Sequence, residues 1–205
     1  MEIDPAALAQ RDRYKLLIGA IVPRPIALVS TISPDGVTNL APFSFFAGVS
    51  SEPLSLLFCP ANKPDGSEKD TLRNILAGHP GLAQGPSGDG PELGEGGEFV
   101  VNIVSHAIAR PMAMCAEELP YGESEFDLSG FTPAPSKVVR PPRVAQSRVS
   151  FECRAMQVIR LAPGAPGAGT SWSGGSRGSM RMSRWSTRSC MSTPRRWTRW
   201  GEWAG

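Results

Sequence analysis

Two short blocks of the chain hold residue types whose spacing suits a bound ligand. In the first, Asn39 and Ser44 flank Ala41 and Pro42. The polar pair supplies hydrogen-bonding groups, and the small or rigid neighbours let a flat ring lie against the backbone. In the second, Lys69 supplies a positive charge and Thr71 a hydroxyl at the start of a short helix, whose first turn offers N–H groups to a phosphate. These residues describe a cradle for a flat, phosphorylated molecule. No acid, base and nucleophile stand in a catalytic pattern, and no catalytic side chain is assigned. The two histidines, His79 and His106, and the four cysteines, Cys59, Cys115, Cys153 and Cys190, make no CxxC and no Cys/His cluster. That spacing argues against a closed zinc site or a disulfide framework, and no metal ligand is assigned. A Cys115–His106 nucleophile pair is the covalent alternative, but nothing marks an activating environment for the thiol. Cys59 and Cys153 lie among strand-like apolar residues and read as buried, reduced thiols, which points to the cytoplasm.

Each of these residues also has a plain structural reading. Asn39 suits a turn and Ser44 a water-facing strand position, while Lys69-Asp70-Thr71 would serve as a solvated helix cap. Phe43, Phe45 and Phe46 read as core or dimer-interface residues before ring-stacking groups. Arg24, between two prolines, suits a phosphate or an ordinary surface equally.

The elements that must carry these blocks are mostly strands. Pro23-Arg24-Pro25 is an extended lead-in, because proline lacks an N–H and restrains its predecessor. Ile26–Ile32 then reads as a strand, Ser33-Pro34-Asp35-Gly36 as a hairpin turn, and Val37–Val49 as the returning strand. Within it, Pro42 implies a bulge or a strand-to-loop transition. Leu54–Cys59 is a short buried strand, Pro60–Glu68 a loop, and Lys69–Leu76 a helix with Asp70 or Thr71 as its N-cap. Residues 77–97 hold eight Gly and three Pro and read as a surface loop. Glu98–Val104 is a further strand, and Ile108–Glu118 suits a helix. Thr132–Pro142 reads as a loop. Val149–Ala155 alternates, with Val149, Phe151, Cys153 and Ala155 on one face and Ser150, Glu152 and Arg154 on a face expected to be wet. The sum is a closed antiparallel barrel with small helices outside.

Three blocks, PRPIALVSTISPDGVTNLAPFSFF, NKPDGSEKDTLRNI and GEFVVNIV, follow one another in an order that resembles the flavin reductase-like family of FMN-binding split barrels. The resemblance runs from about residue 14 to 161 and implies a mainly β fold, an antiparallel split β-barrel of Greek-key type with a few short helices. It implies that Asn39, Leu40, Ala41, Pro42, Phe43 and Ser44 lie along a flavin. Asn62, Lys63, Lys69, Asp70 and Thr71 would approach its ribityl chain and phosphate. FMN is the implied cofactor, with FAD the alternative and NAD(P)H the electron donor. The acceptor is free flavin, oxygen or a partner such as a monooxygenase. A homodimer is implied as well. A non-catalytic FMN-binding electron-transfer protein is the second reading. The lack of a GxGxxG fits, since the family does not bind nicotinamide through a Rossmann unit.

The 205 residues suit one domain of residues 1–170 and a different C-terminal stretch, 171–205. That stretch holds all five Trp, eight Ser and seven of the 21 Lys+Arg, with one of the 19 acids and no Leu, Ile, Val or Phe. Its charge of +6, taken from the overall +2, leaves −4 for the first 170 residues, so the basic balance makes no case for a nucleic-acid surface on the domain. Shifting the frame by one base in GC-rich codons turns its Trp and Ser codons into aliphatic ones and restores strand-like runs. A frameshift near Ala168–Ser171 is therefore expected, with a disordered tail in the present frame. The competing reading is a Trp/Arg arm for nucleic acid or an anionic membrane. No uncharged apolar run approaches the roughly 18–20 residues of a membrane helix, and the N-terminus lacks the form of a secretory signal. Neither a nucleic acid nor a membrane is expected as a partner.

Overall fold

The computed structural model describes residues 2–78 and 97–175, with backbone alone for 171–175. Helix α1 (Gln10–Ala20) precedes strand β1 (Ala27–Ile32), and β2 (Thr38–Phe43) returns antiparallel beside it. The turn between them forms as the residue types require. Ser33 N–H donates to Val37 C=O at 2.8 Å, Gly36 N–H donates to Ser33 C=O at 3.0 Å, and Gly36 takes φ +87°. The expected single strand Val37–Val49 is two strands, because the chain leaves β2 at Ser44-Phe45 and starts β3 (Phe46–Ser51). β3 pairs with β4 (Leu54–Phe58), and α2 (Asp70–Gly78) follows. After β5 (Glu98–Ile103) come α3 (Ala109–Met114), shorter than the expected helix, and α4 (Glu125–Ser129). The expected loop Thr132–Pro142 opens with a two-residue strand, β6 (Pro133–Ala134), paired with β7 (Arg143–Val144). The long β8 (Ser150–Arg160) and β9 (Thr170–Gly175) complete the set.

Seven strands form one antiparallel sheet in the order β2-β1-β5-β8-β9-β4-β3. The sheet rolls on itself. Phe43 of edge strand β2 meets Phe58 of β4 at 5.2 Å between ring centroids, and Phe58 meets Phe99 of β5 at 5.4 Å. The main core inside the roll gathers Val29, Phe43, Phe58, Val101 and Cys153, with Leu72 and Ile75 of α2 packed on them. The expected closure is absent among the described residues. β2 and β3 are edges with no ladder between them, so the architecture is an antiparallel, open-edged roll with short helices.

Of the two outcomes expected at Pro42, the strand-to-loop transition follows at once, since β2 ends at Phe43, and no bulge is needed, because β2 is an edge strand and a missing N–H breaks no ladder on its open side. The expected wet face of β8 is also corrected. Cys153 and Ala155 face the main core as read, but on the other side Ser150 and Glu152 are buried, and of the three residues expected to be wet only Arg154 has a side chain that reaches solvent. Glu152 Oε2 accepts the N–H groups of Lys137 and Val138 at 2.9 and 2.8 Å, which anchors that excursion over the sheet. A second apolar cluster on this outer side joins Leu28 and Leu40 to Ile108, Cys115, Phe126, Phe131 and Val144. Cys59, expected to be buried, is only half-buried, and Cys115 and Cys153 are buried free thiols. β9 takes its last five residues from beyond the expected boundary at 170 and lies between β8 and β4. The rest of that stretch, residues 176–205, and most of the loop expected at 77–97 lie outside the described residues.

Candidate functional site

β2, the turn before α2 and the segment after α3 meet around a cavity of about 110 Å³. Asn39, Ala41, Pro42 and Phe43 form one wall, Lys63, Lys69, Asp70 and Thr71 the second, and Cys115–Leu119 with Glu125 the third. The alternation of β2 sends Leu40 into the outer cluster, and its neighbours Asn39, Ala41 and Phe43 to the opposite side. The strand's open edge is capped by α4. Glu125 Oε2 accepts the Leu40 N–H at 2.7 Å, and the hydroxyls of Thr38 and Ser124 lie 2.8 Å apart.

Asn39 does not hold a turn. Its amide, buried to 7% exposure, donates to Thr71 Oγ1 at 3.0 Å and Thr31 Oγ1 at 3.3 Å. Asn74 Nδ2 donates to the same Thr31 hydroxyl at 3.0 Å, and the Tyr121 hydroxyl donates to Asn74 Oδ1 at 3.0 Å. One buried network thus ties β1 and β2 to α2 and to the chain beyond α3, and fixes both ligand-facing blocks against each other.

Lys63 opens a tight turn that leads to Lys69. Lys63 N–H donates to Ser67 C=O at 2.8 Å, Gly66 N–H donates to Lys63 C=O at 2.9 Å, and Asp65 Oδ1 accepts from the Ser67 N–H and hydroxyl. Those two hydrogen bonds hold the Asp65 carboxyl below its usual value. Lys69 C=O accepts the Leu72 and Arg73 N–H groups, so Lys69 occupies the cap position, and Asp70 and Thr71 already belong to the first turn. Lys63 Nζ lies 3.2 Å from Asp70 Oδ1, which Arg73 also approaches at 3.5 Å, while the Arg73 guanidinium sits 3.7 Å from the centre of the Tyr121 ring. Lys69 Nζ lies 2.8 Å from Glu118 Oε1.

Burial pushes the Glu125 carboxyl above its ordinary value, against the pull of the Leu40 N–H. The hydrogen bond and charge of Lys69 hold Glu118 below its own. Burial raises the Cys115 thiol, which donates to Pro111 C=O at 3.5 Å, and His106 is exposed. A thiol held protonated is the opposite of an activated nucleophile, so the Cys115–His106 alternative fails.

Of the eleven residues expected at a ligand, eight line the cavity, and Leu40, Ser44 and Asn62 do not. Leu40 is core, and Ser44 sits at the break between β2 and β3. Asn62 is a structural clasp, its side-chain amide donating to Ala165 C=O and its N–H to Ala168 C=O, both at 2.9 Å. Arg24 serves α1, donating to the carbonyls of Ile18 and Ile21. The third wall, Cys115–Leu119 and Glu125, was missed. Its neighbours in space lie far off in sequence, and Cys115 with the acids Glu117, Glu118 and Glu125 were its visible polar signals. A wider cleft of about 610 Å³ lies by the end of α2, but Glu98 there is taken by Arg154 at 3.1 Å and by the Arg140 N–H at 2.8 Å.

Comparison with known proteins agrees with this architecture. The sequence profile described as "Flavin reductase like domain" matches residues 19–166. An uncharacterized protein of Aquifex aeolicus (strain VF5) is 41% identical over 146 residues, which is 71% of this chain and 65% of that relative's own length. Nitrilotriacetate monooxygenase component B from Bacillus cereus superposes with a TM-score of 0.72 at 31% identity, over 87% of this chain and 79% of that one. The 2-nitrobenzoate 2-nitroreductase NbaA of Pseudomonas fluorescens superposes with a TM-score of 0.70 at 25% identity, over 92% and 81%.

Proposed function

Because the chain belongs to the flavin reductase-like domain family, we propose that it is an FMN-binding oxidoreductase passing electrons from NAD(P)H to free flavin, oxygen or a partner protein. The observation that carries this reading is the convergence of Asn39, Ala41, Pro42, Phe43, Lys63 and Lys69–Thr71 on one cavity. The residues present fit the phosphate-bearing end of a flavin. Two ammonium groups and a hydroxyl gather at the first turn of α2, beside the small and rigid Ala41-Pro42. When bound, the flavin supplies the electron chemistry.

The chain's own residues then bind and orient. Lys69 and Lys63 carry the anionic end, and the Asn39–Thr71 hydrogen bond keeps β2 and α2 in register. Cys115 stays a neutral thiol. A cavity of about 110 Å³ is small beside the roughly 300–1,000 Å³ of ordinary cofactor sites, so most of a flavin would lie outside it. A second copy of the chain supplies the missing cover in this reading. Helix α1 has no buried residue, and Tyr14, Leu16, Leu17, Ile21 and Val22 are exposed on or beside it. Component B of a monooxygenase among the similar structures supports a monooxygenase as the acceptor partner. A cytoplasmic location is part of the same proposal.

Purified protein titrated with FMN should bind it and take on its yellow absorbance, and then oxidise NADH or NADPH when free FMN is added. Replacing Lys69 by Met should weaken FMN roughly ten-fold, the cost of one charge-assisted contact. Uptake of neither FMN nor FAD by soluble protein overturns the reading.

A further inference from the structure

A phosphate entering the cavity would meet lysines that already have partners. Each is held by a carboxylate, and the two pairs differ. Lys63 and Asp70 are largely enclosed, at 20% and 16% side-chain exposure, and Arg73 adds a second cation to Asp70. Lys69 and Glu118 stand at the rim, 31% and 53% exposed. Glu118 comes from the irregular segment after α3, outside any helix or strand, so it is able to swing away without breaking a ladder. The pair joins two walls of the cavity that lie 49 residues apart in sequence. Acids also outnumber bases around this cavity, Asp70, Glu117, Glu118 and Glu125 against Lys63 and Lys69.

We infer that Glu118 competes with the flavin phosphate for Lys69, and so sets how strongly this site prefers a phosphorylated flavin over an unphosphorylated one. The inference rests on the flavin reading above. A phosphate monoester carries close to two negative charges at neutral pH, and an exposed carboxylate is a weak holder of a lysine, so exchange of one for the other is easy. The field of Lys63 also reaches Glu118, which places the carboxylate where phosphate charge would gather. Riboflavin has no phosphate and leaves the Lys69–Glu118 pair intact. The carboxylate therefore taxes FMN alone.

The test is a titration of the full chain, wild type and Glu118→Gln, with FMN and with riboflavin at low ionic strength. The variant should bind FMN about two- to five-fold more tightly, the range of an exposed ion pair, with riboflavin affinity unchanged. The gain should shrink as salt is raised. In a Lys69→Met background the same substitution should lose most of its effect on the FMN-to-riboflavin ratio. Wild-type binding of both flavins with an unchanged ratio in Glu118→Gln overturns the role of Glu118 and leaves the flavin reading standing. Equal gains for both flavins also overturn it, since they point to a structural change. Wild-type binding of neither flavin overturns the flavin reading and this inference with it.

Discussion

Glu125 concentrates the site's physical tensions in one side chain. It is 6% exposed, it lines the cavity, and its Oε2 closes the open edge of β2 by accepting the Leu40 N–H. Burial raises its pKa above the ordinary 4.5, Asp70 pushes the same way, and the Leu40 and Glu125 N–H groups and Lys63 pull it down. An acid whose folded pKa is raised contributes stability that is complete below the unfolded value and fades as pH rises through the folded one. Glu125→Gln keeps an acceptor oxygen without that titration. The variant should therefore gain stability on wild type between about pH 4 and pH 7, read from urea unfolding midpoints across that range. A constant difference across it would show that burial of this carboxylate carries no pH-dependent cost. Glu125→Ala is the harsher change, because it orphans a buried backbone donor. It should cost about 1–3 kcal/mol at either end of the range.

At the scale of elements, the cradle depends on two turns pressed together. Gly66 has φ +84°, and a Cβ there would collide with the carbonyl oxygen of Gly164, in the turn between β8 and β9. Both constraints act at once, one on the backbone and one on the space beside it. Gly66→Ala should destabilise the fold by about 1–3 kcal/mol and weaken FMN binding by shifting Lys63. Thermal unfolding and flavin titration of the variant check both. Gly36 sets the control, with φ +87° but nothing near its would-be Cβ. Gly36→Ala should cost about 1 kcal/mol and leave flavin affinity unchanged. β9 is the second such dependency, because among the described residues the β3–β4 hairpin joins the sheet through the β4–β9 ladder alone. A chain cut after Gly175 keeps every strand described, whereas one cut after Leu161 loses β9. The shorter chain should show a smaller denaturant m-value and bind hydrophobic dye, as expected when Leu56 and Phe58 lose their cover. Equal m-values for the two chains would refute this account of β9.

Across the whole molecule, what could be read from the sequence is what local chemistry decides. The Ser33–Gly36 turn, the β1, β4 and β5 strands and helix α2 follow from turn residues and apolar runs within a few positions of one another. The parting of residues 37–49 into strands at opposite edges did not, because it depends on which partners each half finds. Two of the cavity's three walls were legible for the same reason. The third was hidden by distance along the chain, 85 residues between Leu40 and Glu125 and 49 between Lys69 and Glu118. The face of β8 that looked wet is dry at Ser150 and Glu152, where Glu152 accepts the N–H groups of Lys137 and Val138, and reaches solvent at the Arg154 side chain as expected. Apolar surface left over at this scale points outward in turn. α1 touches the body through an edge contact of Tyr14 on Phe45, with ring centroids 6.4 Å apart, and through Gln10 beside Gly167, and buries none of its residues. An apolar groove of about 230 Å³, lined by Phe46, Leu54, Leu56, Ile103 and Phe151, opens on the face where β3 and β4 meet β5 and β8. A soluble chain seldom leaves this much apolar surface uncovered. A second copy would need to bury at least about 1,000 Å² to be stable. Sedimentation should therefore show a dimer, and Leu17→Glu together with Leu54→Glu should yield a folded monomer, because both residues are exposed and contribute nothing to the cores. If the partner copy covers the flavin, the monomer should also bind FMN more weakly. A wild-type monomer at micromolar concentration, with FMN affinity untouched by the two substitutions, would remove the second copy from the site.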